Sequence, residues 1–91
     1  MTVVTEKVEL GQVLATPDAL DKFGPRCLRL CLDRHRDGDF GDLCDEDLRA
    51  NAQALIDGTR LLSNYDLDAG KLWIITEWDR SVTTCLLPEN Y

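Results

Sequence analysis

Apolar and polar residues alternate along parts of this chain and recur at helical spacing along others. Near the start, Val8 and Leu10 flank Glu9 before Gly11 interrupts, which predicts a short, bulged strand over residues 7–14. Thr16-Pro17-Asp18 reads as a helix start: a capping hydroxyl, proline at the first helical position, then an acid. That helix is brief and ends before Gly24-Pro25, where Pro25 opens a second one over residues 25–36, stopped by Gly38. On the second helix Leu28, Cys31, Leu32 and His35 fall at the spacing of a buried stripe, with Arg26, Arg29, Asp33 and Arg36 on the solvated face. A third helix is predicted over residues 45–57, ending at Gly58, with Leu48, Ala52, Leu55 and Ile56 as its core stripe.

The remainder reads as antiparallel sheet: residues 60–65, a turn around Asp68-Ala69-Gly70, residues 71–78, a tight turn at Asp79-Arg80, then residues 81–87. Leu72, Trp73, Ile74 and Ile75 make the middle strand apolar on both faces, as a central strand requires. The predicted fold is α+β, two or three short helices packed on a small antiparallel sheet with a C-terminal β-meander. If helices cover the face bearing Leu72, Ile74 and Thr76, then Trp73 and Ile75 lie on the other face, where the segment 8–14 is expected to shield them.

Length allows one domain, residues 1–91, since a chain of this size buries only about 60–65% of the surface it exposes when unfolded. A composition 44% hydrophobic and 30% charged is that of a soluble globular protein. The longest apolar runs, such as Leu72–Ile75, are too short to span a bilayer, and the start lacks a secretory signal, so a cytoplasmic location is expected.

Charge sharpens the picture, because 17 acids against 10 bases give −7, and the excess is concentrated. Residues 37–48 hold Asp37, Asp39, Asp42, Asp45, Glu46 and Asp47 with no base, whereas residues 25–36 hold four arginines against Asp33. Such a field repels nucleic acid and anionic lipid and attracts basic surfaces. Asp45, Glu46 and Asp47 fall in the first turn of the third helix, where they oppose the positive dipole end. Asp37, Asp39 and Asp42 precede that helix, and capping does not account for them.

Candidate chemistry is sparse. Cys27-x3-Cys31-x3-His35 with Cys44 would place soft ligands along one helical stripe, but structural zinc usually takes tight knuckles, and intracellular cysteines more often pack as small apolar residues. No metal and no other cofactor is expected, and the thiols are expected to be free. An EF-hand started at Asp37 fails: Gly41 stands at position 5, Asp42 where glycine is required, and Leu48 where the bidentate Glu belongs. The single His35 has no obvious Ser or Cys partner, and the glycines of the acidic loop lie among aspartates that would repel phosphate. An enzyme is not expected.

The tail Leu72-Trp-Ile-Ile-Thr-Glu-Trp-Asp-Arg-Ser-Val-Thr-Thr-Cys-Leu-Leu-Pro-Glu-Asn-Tyr91, taken with residues 10–20 and Gly38-Asp-Phe-Gly-Asp-Leu43, resembles small uncharacterised proteins of bacterial plasmids, phages and integrative elements. Trp78 departs from the apolar or small residue usual there. The resemblance implies no catalytic activity. It implies genomic company with genes that protect mobile DNA from host defence, some of them labelled anti-restriction.

These readings converge on a non-catalytic inhibitor of a host defence nuclease, of the anti-CRISPR or anti-restriction type. Its partner-binding residues are Asp37, Asp39, Asp42, Asp45, Glu46 and Asp47, mimicking nucleic acid in a basic groove of the nuclease or defence complex. The alternative is an accessory or structural protein–protein interaction module of a mobile element, as a monomer or a homodimer. Neither reading needs a membrane or direct contact with nucleic acid.

Overall fold

The computed structural model describes residues 8–91. Strand β1 spans Gln12–Ala15, helix α1 Pro17–Arg36, helix α2 Asp45–Asp57, strand β2 Leu61–Leu67, strand β3 Gly70–Thr76 and strand β4 Val82–Leu86, with a final 3₁₀ turn at Pro88–Asn90. The architecture is α+β, two helices and a four-stranded sheet in the order β1-β4-β3-β2.

Helix α1 starts where its sequence demands: Thr16 is extended, and its hydroxyl accepts from the Ala19 N–H at 3.1 Å, one of the orphan donors of a first turn. The two predicted helices over residues 17–36 are arms of one bent element. Gly24 takes a left-handed φ of 78° at the bend, where Pro25 disfavours helical backbone in the residue before it. Helix α2 ends at Gly58, which is left-handed and returns its N–H to the Ala54 carbonyl.

The meander is as predicted, β2–β3–β4 antiparallel, with Ile74 opposite both Ser63 and Cys85. The sheet as a whole is mixed rather than antiparallel, because β1 joins β4 in parallel, Val13 beside Thr83 and Ala15 beside Cys85. The reason is connectivity. A tight turn permits only antiparallel neighbours, whereas β1 reaches β4 after both helices and β2–β3 have intervened, a crossover long enough for a parallel pair.

Helix α1 covers the sheet face bearing Tyr65, Leu72, Ile74 and Cys85, and Leu28 and Cys31 close this core from the helix side. A second apolar cluster joins Val8, Phe40, Ala54 and Leu61 at the far end of that face. Val8 is held there by its N–H to the Arg36 carbonyl, 2.9 Å, so the start of segment 8–14 does not shield Trp73. That role falls to the C-terminus: Tyr91 meets Trp73 edge-on at 5.8 Å between ring centres, and Arg60 lies over the Tyr91 ring and donates to its hydroxyl.

The expected core stripe of α2 is overturned. Its buried residues are Asn51 and Ala54, while Leu48, Ala52, Leu55 and Ile56 are exposed, Ile56 at 79%. The helix is rolled toward Asn51 because that side chain is needed at the sheet edge: its amide donates to the Leu62 carbonyl at 2.6 Å and its oxygen accepts from the Leu62 N–H at 3.2 Å. Two backbone groups of an edge strand are satisfied by one side chain, and the apolar stripe turns outward as the consequence.

Candidate docking surface

The six acids of residues 37–47 fall into two groups with different surroundings. Asp37 caps α1, donating its N–H to the Asp33 carbonyl at 3.1 Å, and its carboxylate lies 3.8 Å from Arg36 Nε. Asp39 accepts from Arg34 Nε at 2.7 Å and from the Gly41 N–H at 3.1 Å, and the Arg34 hydrogen bond holds its carboxyl below the usual carboxylate range. The same Arg34 guanidinium rests 4.6 Å above the Tyr65 ring, and the Tyr65 hydroxyl donates to the Asp39 carbonyl at 2.6 Å.

Asp42 is bound to the sheet edge. Its N–H donates to the Asn64 carbonyl at 2.6 Å, its own carbonyl accepts from the Asn64 amide at 3.3 Å, and its carboxylate accepts from the Asp66 N–H at 2.9 Å. The outward edge of β2 is thereby closed at Leu62, Asn64 and Asp66 in turn, by Asn51, by the backbone of Phe40 and Asp42, and by the Asp42 carboxylate. Gly41 makes this approach possible: it has φ of 77°, and a Cβ there would stand 2.2 Å from the Asn64 carbonyl oxygen.

Asp45, Glu46 and Asp47 occupy the first turn of α2, all exposed, and form no ion pair among the described residues. Asp42 and Asp47 rim a groove on the sheet face opposite α1, with Leu62, Asn64 and Trp73 on its floor and Lys71 beside them. Lys71 in turn stands 4.0 Å from Asp66. The acidic segment therefore borders half-buried apolar surface on one side and the outward stripe of α2, Leu48, Leu55 and Ile56, on the other.

His35 lies elsewhere, at the centre of a sealed polar chain. Its Nδ1 is 2.5 Å from Ser63 Oγ, its Nε2 is 2.8 Å from Thr76 Oγ1, Thr76 is 2.8 Å from Thr83 Oγ1, and Thr83 donates to the Leu10 carbonyl at 2.7 Å. The last bond sets every direction. Thr83 gives its hydrogen to Leu10 and so accepts from Thr76, which accepts from Nε2–H, leaving Nδ1 to accept from the Ser63 hydroxyl. All four side chains are fully buried, and burial lowers the His35 pKa to about 4, with Arg80 adding a smaller push in the same direction. Both ring nitrogens are committed, so the Cys27-x3-Cys31-x3-His35 spacing has no imidazole to offer a ligand. Burial also raises the thiols of Cys31 and Cys85, to about 11 and about 12.

Sequence reasoning missed Asn51, Asn64, Arg80 and Tyr91. Arg80 has φ of 59° and reaches the Ala54 and Thr59 carbonyls, bracing the end of α2 against the β3–β4 turn. A mid-helix Asn on the flank of an apolar stripe was the one available signal, since Asn is a poor helix former unless its side chain is used.

No helix among the described residues is long and apolar enough to cross a membrane. No family model, curated protein or solved structure matches the chain.

Proposed function

We propose that this protein acts by binding, as a non-catalytic inhibitor of a host defence nuclease of the anti-CRISPR or anti-restriction type, its acidic face occupying a basic nucleic-acid groove. The observation that carries this reading is the outward roll of α2. Three carboxylates that form no ion pair among the described residues, Asp45, Glu46 and Asp47, stand at the head of a helix whose Leu48, Leu55 and Ile56 face away from the core. Charge attracts and orients a basic partner over long range, and exposed apolar side chains hold it once water is excluded. Asp37 and the rim of the Trp73 groove, Asp42 and Asp47, extend the same field.

The test is protection of incoming DNA. Transformation of a restricting host by an unmodified plasmid should rise when the protein is present and not in a host whose nuclease is inactivated. Reversing Asp45, Glu46 and Asp47 to lysine should remove the protection while the circular dichroism spectrum is kept. Binding to the isolated nuclease should weaken steeply as salt is raised. Protection unchanged by the reversal would sink the reading.

The alternative, an accessory protein–protein interaction module, is favoured by a different feature, the free edge of the sheet.

A further inference from the structure

The two edges of the sheet differ. The β2 edge is closed residue by residue, as described above, whereas β1 lies at the other edge with all four residues exposed. Gln12 donates to the Ser81 carbonyl and Thr16 to the Cys85 carbonyl, both 2.9 Å, so even-numbered residues face β4. By the alternation of a strand, the N–H and C=O groups of Val13 and Ala15 point outward, and among the described residues nothing bonds to them. Donors and acceptors alternating at strand spacing match another extended peptide backbone. Gln-Val-Leu-Ala has no charge and no proline to turn such a strand away.

The surroundings of β1 indicate what that strand carries. Val13 and Ala15 lie beside Thr83 and Cys85, so they share the α1 side of the sheet. A groove runs there between β1 and α1, floored by Leu10, Val13 and Leu32, with Arg29, Asp33 and Arg36 along its rim. Arg36 Nη2 stands 3.3 Å from Asp33 and Arg36 Nε 3.8 Å from Asp37, so this arginine is answered within the chain. Arg29 is exposed and forms no ion pair among the described residues. Arg26, one turn earlier, is in the same position and extends the rim along the outer side of α1 beside Leu30. An open backbone edge therefore borders an apolar floor and a basic rim.

We infer that β1 is the docking edge for an extended segment of a partner protein, added as a further strand with acidic side chains directed at Arg29. The inference rests on the reading of the chain as an accessory interaction module and not on its acidic face. In the added strand, residues opposite Val13 and Ala15 lie on the α1 side. A glutamate there lays its methylenes over the groove floor and brings its carboxylate to the guanidinium. The alternate residues lie beside Leu14 on the other face, where Leu14 is 45% exposed and an apolar side chain packs. Charge and backbone together decide between occupants. The β1 of a second copy is neutral and leaves Arg29 unanswered. A nucleic-acid strand offers phosphates to Arg29 but no alternating donors and acceptors to Val13 and Ala15.

The probe is a short blocked peptide of alternating valine and glutamate, titrated into the full chain by NMR with amide hydrogen exchange followed alongside. Saturable binding is expected, with a dissociation constant below about a millimolar, and the Val13 and Ala15 amides should become protected while Gln12 and Leu14 stay constant. Two control peptides should not bind: the lysine counterpart, and an N-methylated form that keeps the carboxylates and loses the backbone donors. Arg29→Glu, at an exposed position, should keep the circular dichroism spectrum, weaken the glutamate peptide about tenfold and admit the lysine peptide. Reversal of Asp45, Glu46 and Asp47 should leave peptide binding unchanged, which separates a failure here from a failure at the acidic face. No binding at millimolar peptide overturns the inference. So does binding that ignores the peptide's charge, or that leaves Val13 and Ala15 exchanging as before. Val13 and Ala15 amides already protected in the free monomer, or protected only as the chain self-associates, would assign the edge to the chain itself and overturn it too.

Discussion

His35 couples the protein's stability to pH through a single neutral ring. Unfolded, an imidazole takes up its proton near 6.5; folded, this one resists until about 4, because protonation would charge a site sealed from water. Between those values the unfolded chain holds more protons, so stability rises with pH across the window and falls as pH drops through it. The full difference is about 3 kcal/mol, present above the unfolded value and gone below the folded one. Urea midpoints of the parent and of His35→Gln, compared between pH 7 and pH 4, should show a steeper decline in the parent. Parallel curves would mean that the ring is protonated in the native state. The four thiols sort by burial in the same way. Cys44 is exposed and Cys27 partly so, while Cys31 and Cys85 are buried with raised pKa values. A thiol reagent at neutral pH should therefore label Cys44 first, Cys27 more slowly, and the other two only after denaturant is added.

Elements show where local sequence sufficed and where it did not. The start of α1 at Thr16-Pro17, the end of α2 at Gly58 and the hairpin turn before Gly70 are set by residues within a turn of each boundary, so they were legible from spacing alone. The parallel partner of β1 was not, because β4 lies about 70 residues away and no local pattern encodes a crossover's direction. The roll of α2 was also hidden, since apolar periodicity reports which side is greasy and not which side the backbone of β2 requires. In the acidic segment spacing revealed the charge, but not that the Asp42 carboxylate serves the Asp66 N–H or that Asp39 is tied to Arg34. The edge closure has a measurable consequence. Asn51→Ala leaves the Leu62 N–H and C=O without partners beside a helix, which should cost about 1–3 kcal/mol in urea unfolding and speed exchange of the Leu62 amide. Gly41→Ala should cost at least as much, because the strained φ and the clash with Asn64 act together. If Asn51→Ala is neutral, water has replaced the side chain and the closure contributes nothing.

At the scale of the molecule the C-terminus works as a latch between the helical layer and the opposite sheet face. Asn90 accepts from the Thr16 hydroxyl at 2.9 Å and from the Leu87 N–H at 3.1 Å and donates to Asp18 at 2.9 Å, tying the tail to the first turn of α1. Tyr91 then crosses to the other face, between Arg60 and Trp73. The chain holds two tryptophans, and Trp78 is 68% exposed, so Trp78→Phe leaves Trp73 as a clean reporter of that face. In this background, deleting residues 88–91 removes the edge-on ring and the hydrogen bonds to α1 together. The emission of Trp73 should shift to the red, and stability should fall by about 1–3 kcal/mol, a few partly exposed hydrogen bonds and one aromatic contact. Val8→Ala provides the contrast. It opens space among Phe40, Ala54 and Leu61 in the second cluster and should cost a similar amount, yet leave the emission maximum where it was, because Val8 packs away from Trp73. If instead Val8→Ala shifts the emission and the deletion does not, the N-terminal segment rather than Tyr91 covers the sheet.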